Sequence, residues 1–385
     1  MHNEYMRKNK AIGLMSGTSV DSIDAAVVDI EESDNSVSVK QITGIAFSIP
    51  RAVRSSIFAL FEDSKGSLRN LVIMNTVLGE LFAEATEHLL RCTSLEPEDI
   101  TVIGSHGQTI YHLSEKVECC GRGVRGSLQI GEGSIIARKT GIPTVTDFRP
   151  GDIAAGGSGA PLVPFFDLIL SKEMGYNTAF QNIGGIGNVT FIEKQGGRPI
   201  AFDTGPGNMI VDYLASEYSG GQLQYDKDGK IGREGRVRED LLGEWMHHPF
   251  FLKPPPRSTG REEFGSEFFN TYLKGVEINS DLVRTAEEFT VRTIVGSYRK
   301  HLSGKPSTLI VTGGGAHNPV IMNSLKKELK ECRILTGDEA GISTDYKEAA
   351  AFALLGYFAY RKRVNNVPDA TGAEGEAVMG KLSLP

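Results

Sequence analysis

Two short apolar runs open the chain, at residues 11–15 and 23–30, with Ser16-Gly17-Thr18-Ser19 between them. The pattern predicts two strands joined by a glycine-bearing turn. The period changes over 71–92, where Leu78, Leu81, Phe82 and Leu89 recur at helical spacing. Residues 101–104 predict another strand, ending at Ser105-His106-Gly107-Gln108-Thr109. Two more strands are predicted at 128–131 and 144–147, with a helix over 134–139. A stretch rich in glycine and proline, 150–164, separates this block from a second one. The second block starts in the same order: a strand at 178–183, the turn Gly184-Gly185-Ile186-Gly187-Asn188, a returning strand at 189–192, and a third at 199–202 ending at Asp203. Helices are predicted over 211–218, 281–302, 319–331 and 346–363, and a strand at 308–311 precedes Gly313-Gly314-Gly315. Strands alternating with helices predict an α/β protein, and the shared strand, turn, strand order suggests one plan used twice.

A chain of 385 residues with 40% hydrophobic content exceeds one comfortable compact domain. Two lobes are expected: 1–147, joined by the C-terminal region 346–385, and 148–345. The formal net charge of −7 argues against non-specific binding to nucleic acid or to an anionic membrane. The four cysteines, Cys92, Cys119, Cys120 and Cys332, form no C-x-x-C pair and no metal-ligand spacing, and adjacent Cys119 and Cys120 are awkward for an ordinary disulfide. A reduced, cytoplasmic chain is expected. Residues 1–10 are polar, so no secretory signal is expected, and no run is long and apolar enough to predict a membrane span.

Gly121-Arg122-Gly123-Val124-Arg125-Gly126 matches a dinucleotide fingerprint letter for letter, but it precedes a strand instead of opening a helix. Gly304-Lys305-Pro306-Ser307 lacks the glycine spacing of a P-loop. Three glycine-rich turns, at 16–19, 184–188 and 313–315, each leave a predicted strand. Without a Cβ their backbone N–H groups can approach phosphate oxygens, and Thr18 and Ser19 add hydroxyls. Asp203 suits a general base at a strand end, or equally a turn aspartate bonded to its own backbone. Asp147, Arg149 and Asp152 cluster at the expected junction, where Arg149 either grips hydroxyl or carboxylate oxygens in a fork or forms a surface ion pair. Glu348 opens the last helix beside Ala349-Ala350-Ala351, facing a cleft or simply favoured at a helix N-terminus. His106 reads as structural or substrate-positioning. His247, His248 and His317 show no zinc spacing.

These motifs together resemble the anhydro-N-acetylmuramic acid kinase family. The resemblance rests on residues 13–24, Ser105-His106-Gly107-Gln108-Thr109, Gln129-Ile130-Gly131, Asp147-Phe148-Arg149, 156–164, 182–188 and 202–208. It continues through Tyr225-Asp226-Lys227-Asp228-Gly229, Ser258-Thr259-Gly260-Arg261-Glu262, Gly313-Gly314-Gly315 and Ala370-Thr371-Gly372-Ala373. It implies an actin/hexokinase-like fold, two duplicated mixed-sheet lobes around a nucleotide cleft. It implies that ATP is bound by Gly17, Thr18, Ser19, Val20, Asp21, Ser22, Ile23 and Asp24 in a first phosphate hairpin. Gly184, Gly185 and Asn188 belong to a second hairpin, with Gly205, Gly313, Gly314, Gly315 and Asn318 completing the nucleotide set. Asp203 matches the family's base, and His106, Gln108, Asp147, Arg149 and Glu348 would hold the sugar. Mg²⁺ is implied; the resemblance does not name its ligands, and Asp21 and Asp203, the latter directly or through water, are the candidates. The family reaction hydrolyses the 1,6-anhydro bond of the sugar while moving the γ-phosphate of ATP to O6, in bacterial cell-wall recycling. A homodimer is expected from the resemblance alone.

The chain departs from the family pattern at Ser158, where most members carry Gln, at Ser22 for Gly, at Arg257 for Lys, and at Pro150-Gly151 for a basic pair. Met15 stands where many hexokinase relatives carry an acid at the first hairpin. Two other readings compete: a levoglucosan-type anhydro-sugar kinase, and a non-catalytic actin-like ATP-binding scaffold.

Overall fold

The computed structural model describes residues 9–17, 19–33, 36–61, 67–175, 177–193, 197, 199–255 and 257–385. The chain forms two compact units, Met1–Glu173 with Tyr346–Pro385, and Met174–Asp345.

The first unit is built on a seven-stranded sheet. Its strands are β1 (Lys10–Ser16), β2 (Ser22–Ser33), β3 (Ser36–Ser48), β4 (Ile100–Cys119), β5 (Arg122–Ile130), β6 (Thr144–Thr146) and β12 (Lys381–Ser383). The order is β12-β6-β4-β1-β2-β3, with β5 paired to β4. β1, β2 and β3 form an antiparallel meander, and β4 joins β1 in parallel. The second unit holds β7 (Thr178–Ile183), β8 (Ile186–Ile192), β9 (Ile200–Pro206), β10 (Thr308–Thr312) and β11 (Arg333–Thr336), in the order β11-β10-β7-β8-β9. Here too three consecutive strands form an antiparallel meander, and the next two add in parallel. The plan suggested by the two glycine turns is therefore realised in both sheets.

Helices α1 (Arg51–Phe61), α2 (Leu68–Thr93) and α3 (Gly133–Thr140) belong to the first unit. The side chain of Ser67 accepts the Asn70 N–H and starts α2, whose face Leu78, Phe82 and Leu89 packs on Ile12, Ile23 and Ile103 of the sheet. The predicted junction at 147/148 is corrected to 173/174. Helix α4 (Phe148–Ala154) opens the glycine-rich stretch and α5 (Pro164–Met174) closes it, and neither leaves the first unit apart from the last residue of α5. The buried carboxylate of Asp152 accepts the Gly159 N–H at 2.8 Å and the Thr371 hydroxyl at 2.7 Å, and Ser158 bonds to the carbonyls of Ala160 and Thr371. The stretch is a clamped loop rather than a linker.

The second unit carries α6 (Met209–Tyr218) and then a run of one- and two-turn helices, α7 (Lys230–Glu234), α8 (Glu239–Trp245), α9 (Arg261–Phe264) and α10 (Ser266–Phe268). These are too short to show a hydrophobic period. Trp245, Phe250, Phe264, Phe268 and Phe289 hold them in an aromatic cluster. Two longer helices, α11 (Ser280–His301) and α12 (Pro319–Glu328), cover the sheet.

The chain returns to the first unit as α13 (Lys347–Tyr360), followed by the single turn α14 (Pro368–Thr371). Residues 349–358 of α13 are buried throughout. A methyl group added to Gly13 of β1 would fall on the carbonyl of Ala349, and one added to Gly104 of β4 on the carbonyl of Phe352. Helix backbone lies directly on strand backbone there, and only glycine leaves the room. We expect Gly104→Ala to lower stability to denaturant by about 1–3 kcal/mol. Gly126→Ala, which meets nothing within 4 Å, should change it by less than about 0.5 kcal/mol.

Candidate active site

Asp203 lies in the middle of β9, not at its end as predicted, and pairs with Asn188 of β8. Its Oδ2 accepts the Thr259 N–H at 2.8 Å, and its backbone exchanges hydrogen bonds with Arg257: the Asp203 N–H donates to the Arg257 carbonyl at 3.1 Å and Arg257 Nε to the Asp203 carbonyl at 3.0 Å. No hydrogen bond reaches Oδ1 among the described residues. Arg257 is buried, lies over the rings of Phe250 and Phe202, and donates to Lys253 O and Ser297 Oγ. Sequence reasoning noted Arg257 only as a departure from pattern and did not assign Thr259 a role. Their signal was the adjoining Ser258-Thr259-Gly260 motif. Burial pushes the Asp203 carboxyl up to about 6, against the Thr259 N–H and the Arg257 charge, with Glu262 adding to the rise. A half-buried carboxylate with one fixed and one open oxygen, titrating near neutrality, is suited to taking a proton.

The glycine segments of this unit meet around Ile183. The Gly207 and Asn208 N–H groups donate to the carbonyls of Gly185 and Gly184 at 2.9 and 2.7 Å, and a methyl at Gly207 would strike the Gly184 carbonyl. Methyls at Gly313 and Gly315 would strike Ile183. Gly205 and Gly313 have φ of 134° and 79°, which favour glycine. The 184–188, 205–207 and 313–315 segments are thus one assembly, with Gly185 and Asn188 exposed on it. Asn318 is placed otherwise than expected. It is buried, its Oδ1 caps α12 at Val320 and Ile321, and its Nδ2 donates to Glu287 Oε1 at 2.7 Å. Its side chain positions the helix after the turn, with both polar ends already engaged.

In the first unit, Thr18 lies outside the described residues. The β1–β2 connection places Val20 at φ 52° with its side chain in the core, and Ile23 is also fully buried. Neither residue exposes surface, so both anchor the turn in the core rather than line it. Asp21 is exposed; its Oδ1 accepts the Ser19 hydroxyl at 2.6 Å and the Ser22 N–H at 3.1 Å, and Ser22 donates to Asp24 at 3.1 Å. Gln108, expected at the sugar, is 1% exposed; it accepts from Ser16 at 2.7 Å and donates to the Thr109 carbonyl at 3.1 Å. It braces β1 against β4. Asp147 pairs with Lys381 at 2.9 Å rather than with Arg149.

His106, Arg149 and Glu348 do come together. Nδ1 of buried His106 lies 3.0 Å from the Gly107 carbonyl, so it carries the proton, and Nε2 accepts from Arg149 Nη2 at 2.9 Å and Nε at 3.2 Å. Arg149 Nη1 donates to the Gly159 carbonyl at 2.9 Å. Burial, then the Arg149 charge, lowers His106 to about 3, so it stays a neutral acceptor. Burial also lowers Arg149, to about 10, opposed by Glu348 and Asp152. Glu348 is exposed on α13 yet walled by protein, which raises its carboxyl against the pull of Lys347 and Arg149. Three of the five N–H groups of Arg149 are spent, leaving donors beside a carboxylate acceptor. That pairing suits a polyhydroxylated ligand.

Among the described residues no group of three or more His, Cys, Asp or Glu side chains could hold a metal ion. Asp21 and Asp203 belong to different units. The open Oδ1 of Asp203 is a hard oxygen donor of the kind Mg²⁺ takes from proteins that supply one or two carboxylates beside substrate phosphates.

The sequence profile of the anhydro-N-acetylmuramic acid kinase family matches residues 9–384. A protein named anhydro-N-acetylmuramic acid kinase from Caldanaerobacter subterraneus subsp. tengcongensis is 44% identical over 97% of this chain and 96% of its own. Proteins of the same name from Acaryochloris marina and Bacillus thuringiensis subsp. konkukian are each 39% identical over 97% of this chain and 99% of theirs.

Glu287, the partner of Asn318, is fully buried, and burial pushes its carboxyl up to about 8 from an ordinary 4.5, with Asp226 adding and Asn318 opposing. Folding therefore favours the protonated form: this stability is intact below pH 4.5 and is lost as pH rises to about 8. Glu287→Gln should remove that dependence. Thermal unfolding at pH 5 and pH 9 is expected to show the wild type falling relative to the variant at the higher pH.

Proposed function

Because the chain belongs to the anhydro-N-acetylmuramic acid kinase family, we propose that it hydrolyses the 1,6-anhydro ring of 1,6-anhydro-N-acetylmuramic acid and phosphorylates O6. The products are N-acetylmuramic acid 6-phosphate and ADP, in peptidoglycan recycling. The observation that carries the chemistry is Asp203, with one oxygen fixed by Thr259, the other open, and a pKa near 6. Asp203 takes a proton from water as that water bonds to the anomeric carbon. The bond from that carbon to O6 breaks, and O6 bonds to the γ-phosphorus as ADP departs.

The remaining roles divide by unit. In the second, the glycine assembly of Gly184, Gly185, Gly205, Gly313, Gly314 and Gly315, with Asn188, offers backbone N–H groups to ATP, and Asn318 acts by holding α12. In the first, Gly17, Ser19, Asp21, Ser22 and Asp24 serve the phosphates, Val20 and Ile23 act by anchoring the turn in the core, and Thr18 is proposed from the family motif alone. Arg149 and Glu348 bind sugar oxygens, and His106 presents Arg149. Gln108 and Asp147 support this group through β1 and Lys381. Asp21, and Asp203 through a water that leaves its open oxygen free for the proton, would be the carboxylates for Mg²⁺, which would neutralise charge on the phosphates. A cytoplasmic homodimer remains an expectation of the family; no helix among the described residues is long and apolar enough to cross a membrane.

Coupled ADP release with Mg²⁺-ATP and two sugars in parallel tests the reading. We expect turnover on 1,6-anhydro-N-acetylmuramic acid with a 6-phosphorylated reducing sugar as product. Turnover mainly on levoglucosan would overturn the substrate, and silence on both would favour an ATP-binding scaffold. Asp203→Asn should cut turnover by at least about 100-fold while ATP binding, followed calorimetrically, stays near wild type. A base must be deprotonated to act, so wild-type kcat/KM is expected to fall as pH drops through about 6.

A further inference from the structure

Strand β4 runs far past the sheet and turns back into β5 through Cys120-Gly121. Cys119 pairs with Arg122, and the two turn residues have φ of 52° and 71°, as in a two-residue type I′ hairpin. Asn, Asp and Gly normally hold such turns, yet the first position here is a cysteine. Cys119 and Cys120 are both exposed, and the Cys119 thiol points at the Cys120 sulfur across 3.9 Å. Nothing in the phosphotransfer chemistry uses them. By strand rise they stand roughly 40 Å along β4 from His106.

We propose that Cys119 and Cys120 form a chelating dithiol site for soft, thiophilic centres of the trivalent-arsenical class. Two sulfur bonds of ~2.3 Å at the narrow angle of a pyramidal arsenic(III) centre hold their sulfurs roughly 3.5 Å apart, a few tenths of an ångström inside the 3.9 Å separation seen and within reach of a small rotation of two exposed side chains. Zinc would need four ligands, and among the described residues no third His, Cys, Asp or Glu completes such a set. Two thiols are enough for a monosubstituted arsenic(III) centre, and sulfur ligands select soft ions over Mg²⁺ or Ca²⁺. With an arsenoxide, two As–S bonds form, and the two thiol protons leave with the oxo oxygen as water. No oxidant is required. The other two cysteines offer no such pair: Cys92 has His88 as its neighbour at 3.8 Å, and burial raises Cys332 to about 11, which keeps it a protonated thiol.

The probe is phenylarsine oxide, added at one equivalent to the reduced full-length chain, with intact mass measured and free thiols counted by a disulfide dye. One phenylarsenic group should be gained and two of the four thiols lost. The adduct should resist excess monothiol and be released by a dithiol. In Cys119→Ser or Cys120→Ser, monothiol should displace the probe at a concentration about 100-fold lower, because the second sulfur no longer supplies an intramolecular grip. Cys92→Ser and Cys332→Ser should behave as wild type. Unchanged thermal unfolding confirms that each serine variant is folded. Undiminished retention in Cys119→Ser, or a wild-type adduct stripped by monothiol as readily as the variants', would overturn the proposal.

Discussion

The contact of α13 with β1 and β4 is the constraint on which the first unit depends. Helices normally stand off a sheet by the thickness of their side chains. Here Gly13 and Gly104 remove that layer, and Ala349, Ala353 and Gly356 keep the facing surface of the helix thin. The approach sets where Phe352 meets the ring of His106, at 4.7 Å between centroids, and it places Glu348 at the first turn of the same helix. His106 in turn fixes Arg149. A single packing distance thus governs a strand residue, His106, and residues of two helices, Glu348 and Arg149.

Burial works on both halves of the chemistry, in opposite directions. It moves an aspartate up and a histidine down, because the neutral form of each is easier to keep from water. For Asp203 the residual opposition of Thr259 and Arg257 leaves a carboxyl that changes charge close to neutrality, which a proton acceptor requires. For His106 the nearby guanidinium reinforces burial, so the ring never competes as a base and its lone pair stays committed to Arg149. The same force leaves a carboxyl that titrates near neutrality in one place and a fixed acceptor in the other, and the neighbouring groups decide which.

Much of the architecture was legible along the chain. Apolar runs and glycine turns marked β1, β2, β7 and β8, and helical spacing marked α2 and α11. β3 and α1 escaped because they alternate weakly and stand half exposed. The helices of the 230–268 region escaped because a single turn has no period to detect. Candidate residues were legible by type more than by use. Arg149 was picked out together with His106 and Glu348, the two groups it faces, but Gln108 and Asn318 proved to spend their polar ends inside the protein.

The sequence by itself determined the two strand-and-glycine blocks and the family, and marked Asp203 as a candidate, because these rest on local periodicity and on motifs contiguous in the chain. The tertiary structure alone decided that 148–173 belongs with the first unit, that Arg257 and Thr259 frame Asp203, and that Arg149 answers to His106 rather than to Asp147. Each of those depends on groups tens of residues apart being brought within hydrogen-bonding distance. A one-dimensional pattern carries the tendency to form an element, but which polar group faces which follows only once backbone and core have packed.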